Sequence, residues 1–246
     1  MEVIGLKLPV IEEGAKIADS ILDALLEEAV TLENHDIVVV TEKIVAKSQG
    51  RIVELATVKP SVKALELAKK IGKDPRLAEL IIQESRRIIK LGPNFVITEH
   101  RSGVVSANAG IDQSNMPDGF AKLLPEEPDR VALELRRELK EKTDKEVGVI
   151  LSDSIGRPFR SGSIGIAIGA AGINALWDRR GETDFYGNAL ESTRVAAADM
   201  LASAAVMVMG EAGEGMPAAV IKGVNLSGDG SANDLLRSDE EDVFRN

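Results

Sequence analysis

The sequence contains no cysteine and few aromatic residues, which make up 3% of the chain. Without thiols there can be no disulfide, thiolate metal site or cysteine nucleophile, and this composition fits a reducing compartment. The chain has only two histidines, His35 and His100, and neither stands at a telling spacing from an acid. A histidine-rich zinc site or a histidine-based triad is therefore not expected. Chemistry must come from carboxylates, metals, lysine or arginine.

Long hydrophobic runs and basic stripes are also missing. The longest apolar stretch, residues 195–209, contains Asp199 and falls short of the roughly 20 residues that a membrane span needs. The amino terminus lacks the features of a secretion signal, so we expect a cytoplasmic protein. A net charge of -10 disfavours nucleic-acid binding. An enzyme with this charge must reverse the field locally to handle phosphates; acidity that serves only solubility is the alternative.

Helix and strand patterns are mixed along the chain, without a clean repeat. We expect a mixed α/β (α+β) fold in one domain, residues 1–246, made of two packed lobes with uncertain boundaries. The glycine-rich segment 161–173 suits a strand packed closely against other backbone. The predicted strands cover about 3–8, 36–41, 95–99, 103–107, 147–151 and 218–222, and the predicted helices about 15–29, 61–71, 74–90, 129–143 and 190–209.

The sharpest local feature is GVILSDSIGRPFRSG, residues 148–162. The predicted strand 147–151 leads into Asp153 and Ser154, and a turn is predicted at Gly156. Ligands of open α/β sheets bind beyond the carboxyl ends of strands. A carboxylate next to a hydroxyl group suits a hard cation such as Mg²⁺ or Mn²⁺. The alternative is that Asp153 caps a turn.

Basic residues lie close to two of the motifs. Arg157 and Arg160 follow the Asp153 strand and are candidates for binding phosphate or carboxylate oxygens. Lys47 and Arg51, in EKIVAKSQGR (42–51), are candidates for phosphate contacts. A solvated basic face is the alternative for this second pair.

A glycine-rich loop, MGEAGEGMP (209–217), follows the last predicted helix. Its three glycines free the backbone to present N–H groups to an anion, although it matches neither a P-loop nor a dinucleotide fingerprint. Glu211 and Glu214 would repel a phosphate unless a cation lies between them, which indicates phosphates bridged by metal. A helix C-cap followed by a turn is the alternative.

The loop NAGIDQSN (108–115) supplies Asn108, Asp112 and Asn115. Asp112 is a candidate ligand for the same cation. An ordinary turn rich in Asn and Asp is the alternative.

Taken together, these motifs make the chain resemble the coenzyme F420-0:L-glutamate ligase family from end to end. The matching segments are LPVI (8–11), EKIVAKSQGR (42–51), NAGIDQSN (108–115), GVILSDSIGRPFRSG (148–162), DFYGNAL (184–190) and MGEAGEGMPAAVIKG (209–223). Their order and spacing are specific, whereas each motif alone is weak.

The resemblance implies a family-specific fold, an intertwined homodimer and a ligase that adds L-glutamate to the side chain of a deazaflavin coenzyme. Its members use GTP, two divalent ions (Mn²⁺ or Mg²⁺) and K⁺. Carried over by position, the metal ligands are Asp112, Asp153, Ser154 and Glu211. The GTP contacts are Leu8, Pro9, Val10, Ile11, Glu42, Lys43, Lys47, Asn115, Met209, Gly210, Glu211, Ala212, Gly213, Glu214, Gly215 and Met216.

Three residues depart from the family pattern. Ser154 stands where threonine is as common, which keeps the hydroxyl group. Glu42 and Lys43 replace smaller hydroxylated residues of some relatives, so a nucleotide contact there would go through the backbone. The chain ends at Asn246, and we expect no fused reductase-like domain.

A carboxylate becomes reactive towards an amine once it is phosphorylated, so the expected route runs through an acyl phosphate, with release of GDP and then phosphate. Arg157 and Arg160 are possible substrate-binding residues, and no general base is assigned. Two alternatives stay open. One is a related ligase that uses GTP and metal on another acid, and the other is a GTP-binding sensor without catalysis.

Overall fold

The computed structural model describes residues 1–244. These residues form six α-helices and twelve strands. The helices are α1 (Ile17–Glu27), α2 (Glu42–Ser48), α3 (Val62–Ile71), α4 (Pro75–Glu84), α5 (Pro128–Thr143) and α6 (Ala197–Met209). The strands are β1 (Glu2–Leu6), β2 (Ile37–Thr41), β3 (Ile52–Glu54), β4 (Ser85–Gly92), β5 (Phe95–His100), β6 (Val105–Ala107), β7 (Phe120–Lys122), β8 (Gly148–Arg157), β9 (Arg160–Ala171), β10 (Leu176–Asp178), β11 (Arg194–Ala196) and β12 (Ala218–Lys222).

A five-stranded sheet forms the centre of the molecule, in the order β1-β12-β2-β8-β9. Only β2 and β8 run parallel, and the other neighbours are antiparallel. The residues of IVVV in β2 and of VIL in β8 are buried because the sheet is covered on both faces. The two parallel strands therefore lie in the interior of the sheet.

Helices cover the two faces of this sheet and bury separate apolar clusters. One cluster joins Ile21 of α1 and Leu139 of α5 to Val149 of β8. The other joins Leu201 of α6 to Ile150 on the same strand. Successive residues of β8 thus point to opposite faces, as the period of a strand requires.

Three smaller sheets complete the fold: β4-β5-β6, β3-β7 and β10-β11. The β4-β5-β6 sheet shares a core with α3 and α4, in which Leu67 and Ile81 meet Val96. The prediction of a mixed α/β fold with mixed sheets is confirmed, while the division into two lobes stays a prediction. Among residues 1–244, no helix is both long and apolar enough to cross a membrane.

The predicted helix 74–90 is wrong in its second half. Asp74 caps α4 as expected and accepts a hydrogen bond from the backbone N–H of Arg76 at 2.8 Å. The helix ends at Glu84, however, and the next eight residues form β4, paired with β5. Tertiary pairing with a neighbouring strand overrides local propensity in this segment.

Two further boundaries differ from the prediction. Strand β8 does not turn at Gly156 but continues to Arg157, because β9 remains paired with it out to Arg160. Helix α6 begins at Ala197 rather than near residue 190, since the preceding three residues pair as β11 with β10. Asp153 therefore lies within a long hairpin rather than after the end of a strand.

Candidate functional site

Two acidic residues come together where the parallel pairing of β2 and β8 ends. Thr41 lies beside Ser152 in the register of these strands. Glu42 directly follows Thr41, and Asp153 directly follows Ser152. The two acidic residues are therefore neighbours at the carboxyl end of the parallel strand pair. Ligands of open α/β sheets bind at this edge, and the candidate site is built from here.

Glu42 is buried in an ion pair with Lys122. The Lys122 Nζ donates a hydrogen bond to Glu42 Oε1 at 2.6 Å, and Lys122 is only 1% exposed. Glu42 Oε2 is buried and has no hydrogen-bond partner within the described part of the chain. Burial raises the pKa of Glu42 to about 7, against the opposing charge of Lys122. Carboxylates perturbed in this way are concentrated at functional sites.

Asp112 is joined to the same group through the backbone. Its N–H donates to the carbonyl oxygen of Lys122 at 3.1 Å, and it accepts from the Lys122 N–H at 2.8 Å. Lys43 Nζ donates to Asp112 Oδ2 at 2.9 Å, and the Ser114 hydroxyl donates to the same oxygen. Burial opposes ionisation, but the hydrogen bonds from Ser114 and the charge of Lys43 outweigh it and lower the pKa of Asp112 to about 2.

Asp153 interacts electrostatically with its neighbours in the site. Burial raises its pKa, the charge of Asp112 adds to this effect, and Lys122 opposes it. The Ser154 N–H donates to Asp153 Oδ1 at 2.8 Å. Because side chains alternate along a strand, the hydroxyl group of Ser154 points to the opposite face from the carboxylate of Asp153.

The glycine loop lies beside the segments predicted to share a nucleotide with it. The Leu8 N–H donates to Gly215 O at 3.4 Å, and Asn115 Nδ2 donates to Ala212 O at 3.2 Å. The Ala212 N–H is already bonded to Glu214 Oε2 at 2.8 Å, so this amide is not free for an anion in the present arrangement. The fold brings the three motifs into contact.

The remaining predicted nucleotide contacts are spread over the same region. Pro9 and Val10 are exposed, while Ile11 is buried in the core. Lys47 lies one turn after Lys43 on α2 and is partly buried. Met209 is the buried last residue of α6.

Other predicted residues have hydrogen-bond partners elsewhere or are exposed. Glu211 accepts a hydrogen bond from Ser163 Oγ at 3.0 Å, on the other strand of the long hairpin. Arg157 donates to Gly162 O at 3.0 Å near the hairpin tip. It lies four residues beyond Asp153, about 13 Å along the strand. Arg160 is exposed in the same tip. The structure thus brings Asp112 and Asp153 together, and within the described residues neither acid forms a hydrogen bond or ion pair with Glu211, Arg157 or Arg160.

Arg51 forms structural ion pairs instead of a free anion-binding face. Its Nη2 lies 2.5 Å from Glu84 Oε2, and its Nη1 lies 3.1 Å from Glu126 Oε1. Glu84 also pairs with the buried His100 at 3.3 Å. Through these pairs, Arg51 and Glu84 together connect β5 and α4 to the segment that follows β7.

The donor chemistry around Asp112 suits a hard cation. The ammonium group of Lys43 is surrounded by oxygen atoms: Asp112 Oδ2, Ser114 Oγ at 2.8 Å and Ser114 O at 3.4 Å. Carboxylate, hydroxyl and carbonyl oxygens are the ligands that Mg²⁺ and Ca²⁺ take. Within residues 1–244, however, no three acidic or histidine side chains are grouped so that they could hold a metal. The four-ligand set predicted from sequence stays a prediction.

Sequence reasoning missed Lys122 and Ser114. Ser114 lies inside the motif NAGIDQSN, two residues after Asp112. One sequence feature indicates the role of Lys122: it is a single lysine inside the apolar run FAKLL. Charged residues are almost never fully buried unless they are paired, so a lysine in such a run indicates a buried acidic partner.

Comparison with known proteins gives consistent matches along the chain. The model of a family described as F420-0:gamma-glutamyl ligase matches residues 5–223. A protein of Methanocaldococcus jannaschii named coenzyme F420:L-glutamate ligase is 49% identical, over 100% of this chain and 97% of its own length. Relatives of the same name from Methanothermobacter thermautotrophicus (49%, covering 100% and 99%) and Archaeoglobus fulgidus (41%, covering 97% and 93%) agree with it.

Proposed function

Because this chain belongs to the F420-0:gamma-glutamyl ligase family, we propose that it joins L-glutamate to coenzyme F420-0 at the expense of GTP. It is an enzyme of the ligase class. The observation that carries the proposal is the agreement over the full length with relatives named for this activity. The paired carboxylates at the end of β2 and β8 supply a site in which such chemistry can occur.

The proposed reaction has two steps that balance. In the first, a carboxylate oxygen of the coenzyme attacks the γ-phosphorus of GTP, the bond to the β-phosphate oxygen breaks, and GDP leaves. In the second, the amino nitrogen of L-glutamate attacks the acyl carbon, and the bond to the phosphate oxygen breaks. The products are an amide and phosphate, and the amine loses its proton to solvent or to a base. Positioning and charge neutralisation carry most of such a reaction.

The residues of the site have distinct proposed tasks. Asp112 and Asp153 would hold a divalent cation, Mn²⁺ or Mg²⁺, which supplies positive charge next to phosphate oxygens. Lys47 and the glycine loop bind the phosphates, together with Leu8 to Ile11 and Asn115. A second divalent ion and K⁺ belong to the proposal through the family resemblance, as do Ser154 and Glu211 as ligands.

We further propose that two copies form a homodimer. The segment 179–193, here called the arm, leaves the sheet between β10 and β11, and residues 180–189 are all exposed. Asp184 holds its turn by accepting hydrogen bonds from the N–H groups of Tyr186 and Asn188, each at 2.8 Å. Phe185 and Tyr186 are 96% and 86% exposed at the tip. An ordered arm that presents two aromatic rings to solvent is suited to packing against a second copy.

Light scattering coupled to size-exclusion chromatography tests the dimer. We expect a mass of twice one chain, and a shift towards one chain when Phe185 and Tyr186 are both replaced by serine. A wild-type protein that elutes with the mass of one chain would remove this part of the proposal.

Mass spectrometry of the coenzyme product tests the function. The full chain is incubated with coenzyme F420-0, GTP, Mn²⁺ and L-glutamate, and the product should gain one or more glutamyl residues while GDP accumulates in equal amount. Omission of GTP should abolish the gain. GDP formation with another phosphorylated carboxylic acid, but not with F420-0, would favour a related ligase. GTP binding without GDP release would favour a sensor.

The same assay tests Asp153 as a cation ligand. Asp153→Asn should lower the rate roughly a hundredfold or more, because an amide oxygen is a weaker ligand than a carboxylate. Asp23→Asn, at an exposed position of α1, makes the same chemical change at a residue with no predicted role in the site and should leave the rate unaltered. Near-normal turnover of Asp153→Asn would exclude an essential role for this side chain.

A further inference from the structure

The two lysines of the site are held in different ways. Lys122 is enclosed, with a side chain only 1% exposed, and its ammonium is fixed on Glu42. Lys43 retains 22% of its side-chain exposure, and its ammonium rests on Asp112, whose side chain is 40% exposed. A lysine side chain has a flexible four-carbon stem, so Lys43 can leave its partner at little cost, whereas Lys122 cannot.

The oxygens around Lys43 form a coordination shell rather than a simple ion pair. One carboxylate oxygen, one hydroxyl oxygen and one carbonyl oxygen surround its ammonium, and all come from Asp112 and Ser114. The other carboxylate oxygen, Asp112 Oδ1, is kept in place by the Ser114 N–H at 2.9 Å. A positively charged group thus already occupies the position at Asp112 that a hard cation would take.

We propose that Lys43 is a displaceable placeholder, which a divalent cation replaces at Asp112 and which then becomes free to bind a phosphate group. The inference rests on the proposed function, because it takes the cation and the nucleotide from it. Both occupants cannot share Asp112 Oδ2 at bonding distance, since their like charges repel strongly a few ångströms apart.

The exchange changes the charge that a nucleotide meets. Without metal, the ammonium of Lys43 is engaged with Asp112 and that of Lys122 with Glu42, so neither is free to attract the phosphates of a nucleoside triphosphate. A bound divalent cation adds two positive charges beside Asp112. At the same moment the released ammonium at the start of α2 gains freedom to reach a phosphate oxygen. The cation should therefore bind first and the nucleotide second.

Mn²⁺ binding without nucleotide tests the inference, with no turnover required. Free Mn²⁺ is measured by electron paramagnetic resonance during titration of the full-length chain. Lys43→Met should bind Mn²⁺ roughly threefold to tenfold more tightly than wild type, because a competing charge of the strength of a partly exposed ion pair is gone. Lys43→Arg keeps the charge and should bind no more tightly than wild type.

Lys142→Met is the matched control. Lys142 pairs with Asp19 at 2.9 Å on the surface, so its replacement removes the same charge elsewhere from an acidic protein. A tightening in Lys43→Met that does not exceed that in this control would overturn the inference. If Lys43→Met fails to fold by circular dichroism, Lys43→Gln serves the same comparison.

A second measurement follows the released ammonium. In the presence of saturating Mn²⁺, the affinity for a non-hydrolysable GTP analogue should be at least about threefold lower in Lys43→Met than in wild type. If the wild-type protein adds glutamate but Lys43→Met binds Mn²⁺ no more tightly than wild type, the inference is overturned and the proposed function still holds.

Discussion

At the scale of single residues, the buried pair of Lys122 and Glu42 sets the character of the site. An ion pair this deeply buried costs desolvation energy, which its mutual attraction and hydrogen bond largely offset. Glu42 Oε2 has no partner of its own within residues 1–244, so the pair is not arranged for stability alone. The pair lies close enough to Asp153 to interact with its charge, in the region to which the sequence motifs assign the chemistry. Retention of a costly pair at such a point is typical of function.

Removal of one member of this pair should be more harmful than removal of both. Lys122→Met leaves Glu42 buried and unpaired, and we expect a loss of about 3–5 kcal/mol in the free energy of unfolding. The double variant Lys122→Met, Glu42→Gln removes both charges and should recover most of that loss. Urea unfolding of the two single variants and the double variant measures the coupling. Additive losses would show that the two side chains do not act as a pair.

The sequence identified part of this site and missed part of it for a physical reason. Asp112 and Asp153 stand in recognisable motifs beside loop and strand signals. Lys122 lies in a three-residue strand, and its ammonium reaches Glu42 only because β7 meets the loop of Asp112. Such long-range pairing leaves no local pattern. The hydrogen bond between Glu211 and Ser163 likewise joins segments that are far apart in the sequence.

At the scale of elements, strand β9 is fitted closely to the helices on both sides of the sheet. A Cβ atom on Gly165 would lie 2.7 Å from the carbonyl oxygen of Ala202 in α6. On Gly169 it would lie 2.4 Å from the carbonyl oxygen of Pro128, the first residue of α5. The glycines predicted to allow close packing in this segment therefore set the distance between sheet and helices. The long hairpin that carries Asp153 is held in place by these contacts.

Gly165→Ala and Gly169→Ala should each destabilise the protein by about 1–3 kcal/mol, because carbonyl oxygens of the backbone cannot move aside. Gly156→Ala is the matched control on β8 of the same hairpin, where a Cβ meets nothing within 4 Å. Thermal unfolding of the three variants gives the comparison. Equal melting temperatures for all three would contradict the close packing.

The junction of α3 and α4 predicts a dependence of stability on pH. Glu79 Oε2 of α4 accepts a hydrogen bond from the Ser61 N–H at 2.8 Å, at the start of α3. Hydrogen bonds from Ser61, opposed by burial, lower the pKa of Glu79 below its usual value of about 4.5. The ionised carboxylate therefore contributes stability above that pH, and the contribution is lost as the pH falls through the lowered pKa.

Urea unfolding of wild type and Glu79→Gln at several pH values checks this sign. The difference in stability between the two proteins should be largest above about pH 5 and should shrink towards pH 3. A difference that grows as the pH falls would contradict the assigned role.

Several boundaries of helices and strands are determined by tertiary pairing rather than by the local sequence. The helix cap at Asp74 and strand β2 can be predicted from the sequence, because the residues that cause them lie within a few positions of each other. The end of α4 at Glu84 cannot be, since Ser85 to Gly92 is a strand only through its pairing with β5. The start of α6 at Ala197 has the same kind of cause, because the three residues before it pair as β11 with β10.

At the scale of the whole molecule, the 40 acidic residues exceed the 30 basic ones, so the proposed cation would have to offset negative charge before a nucleotide binds. A protein of this charge concentrates cations near its surface and repels nucleotides. Binding of Mn²⁺ and then GTP should therefore stabilise the folded chain by mass action, and neither ligand has an organised site in the unfolded chain. The nucleotide should add little stability unless the cation is present.

Mn²⁺ with a non-hydrolysable GTP analogue, both at about 100 times their dissociation constants, should raise the melting temperature by roughly 10–20 °C. The analogue alone should give a small shift, and EDTA should reverse the shift of the mixture. The variant Asp112→Asn, Asp153→Asn should lose most of it. A full shift with the analogue in the presence of EDTA would show that the nucleotide binds without metal.

The parallel pairing of β2 with β8 has a consequence for how the chain reaches its active form. Ile37 meets Gly148 in this pair, so more than a hundred residues must be closed into one loop before the strands join. Closure of long loops is slow compared with local contacts. The hairpin of β4 and β5 and the pair of α3 and α4 lie inside that loop and can form beforehand. A refolding chain should thus regain most of its helices well before Glu42 and Asp153 meet, and the proposed binding of a cation should be regained last.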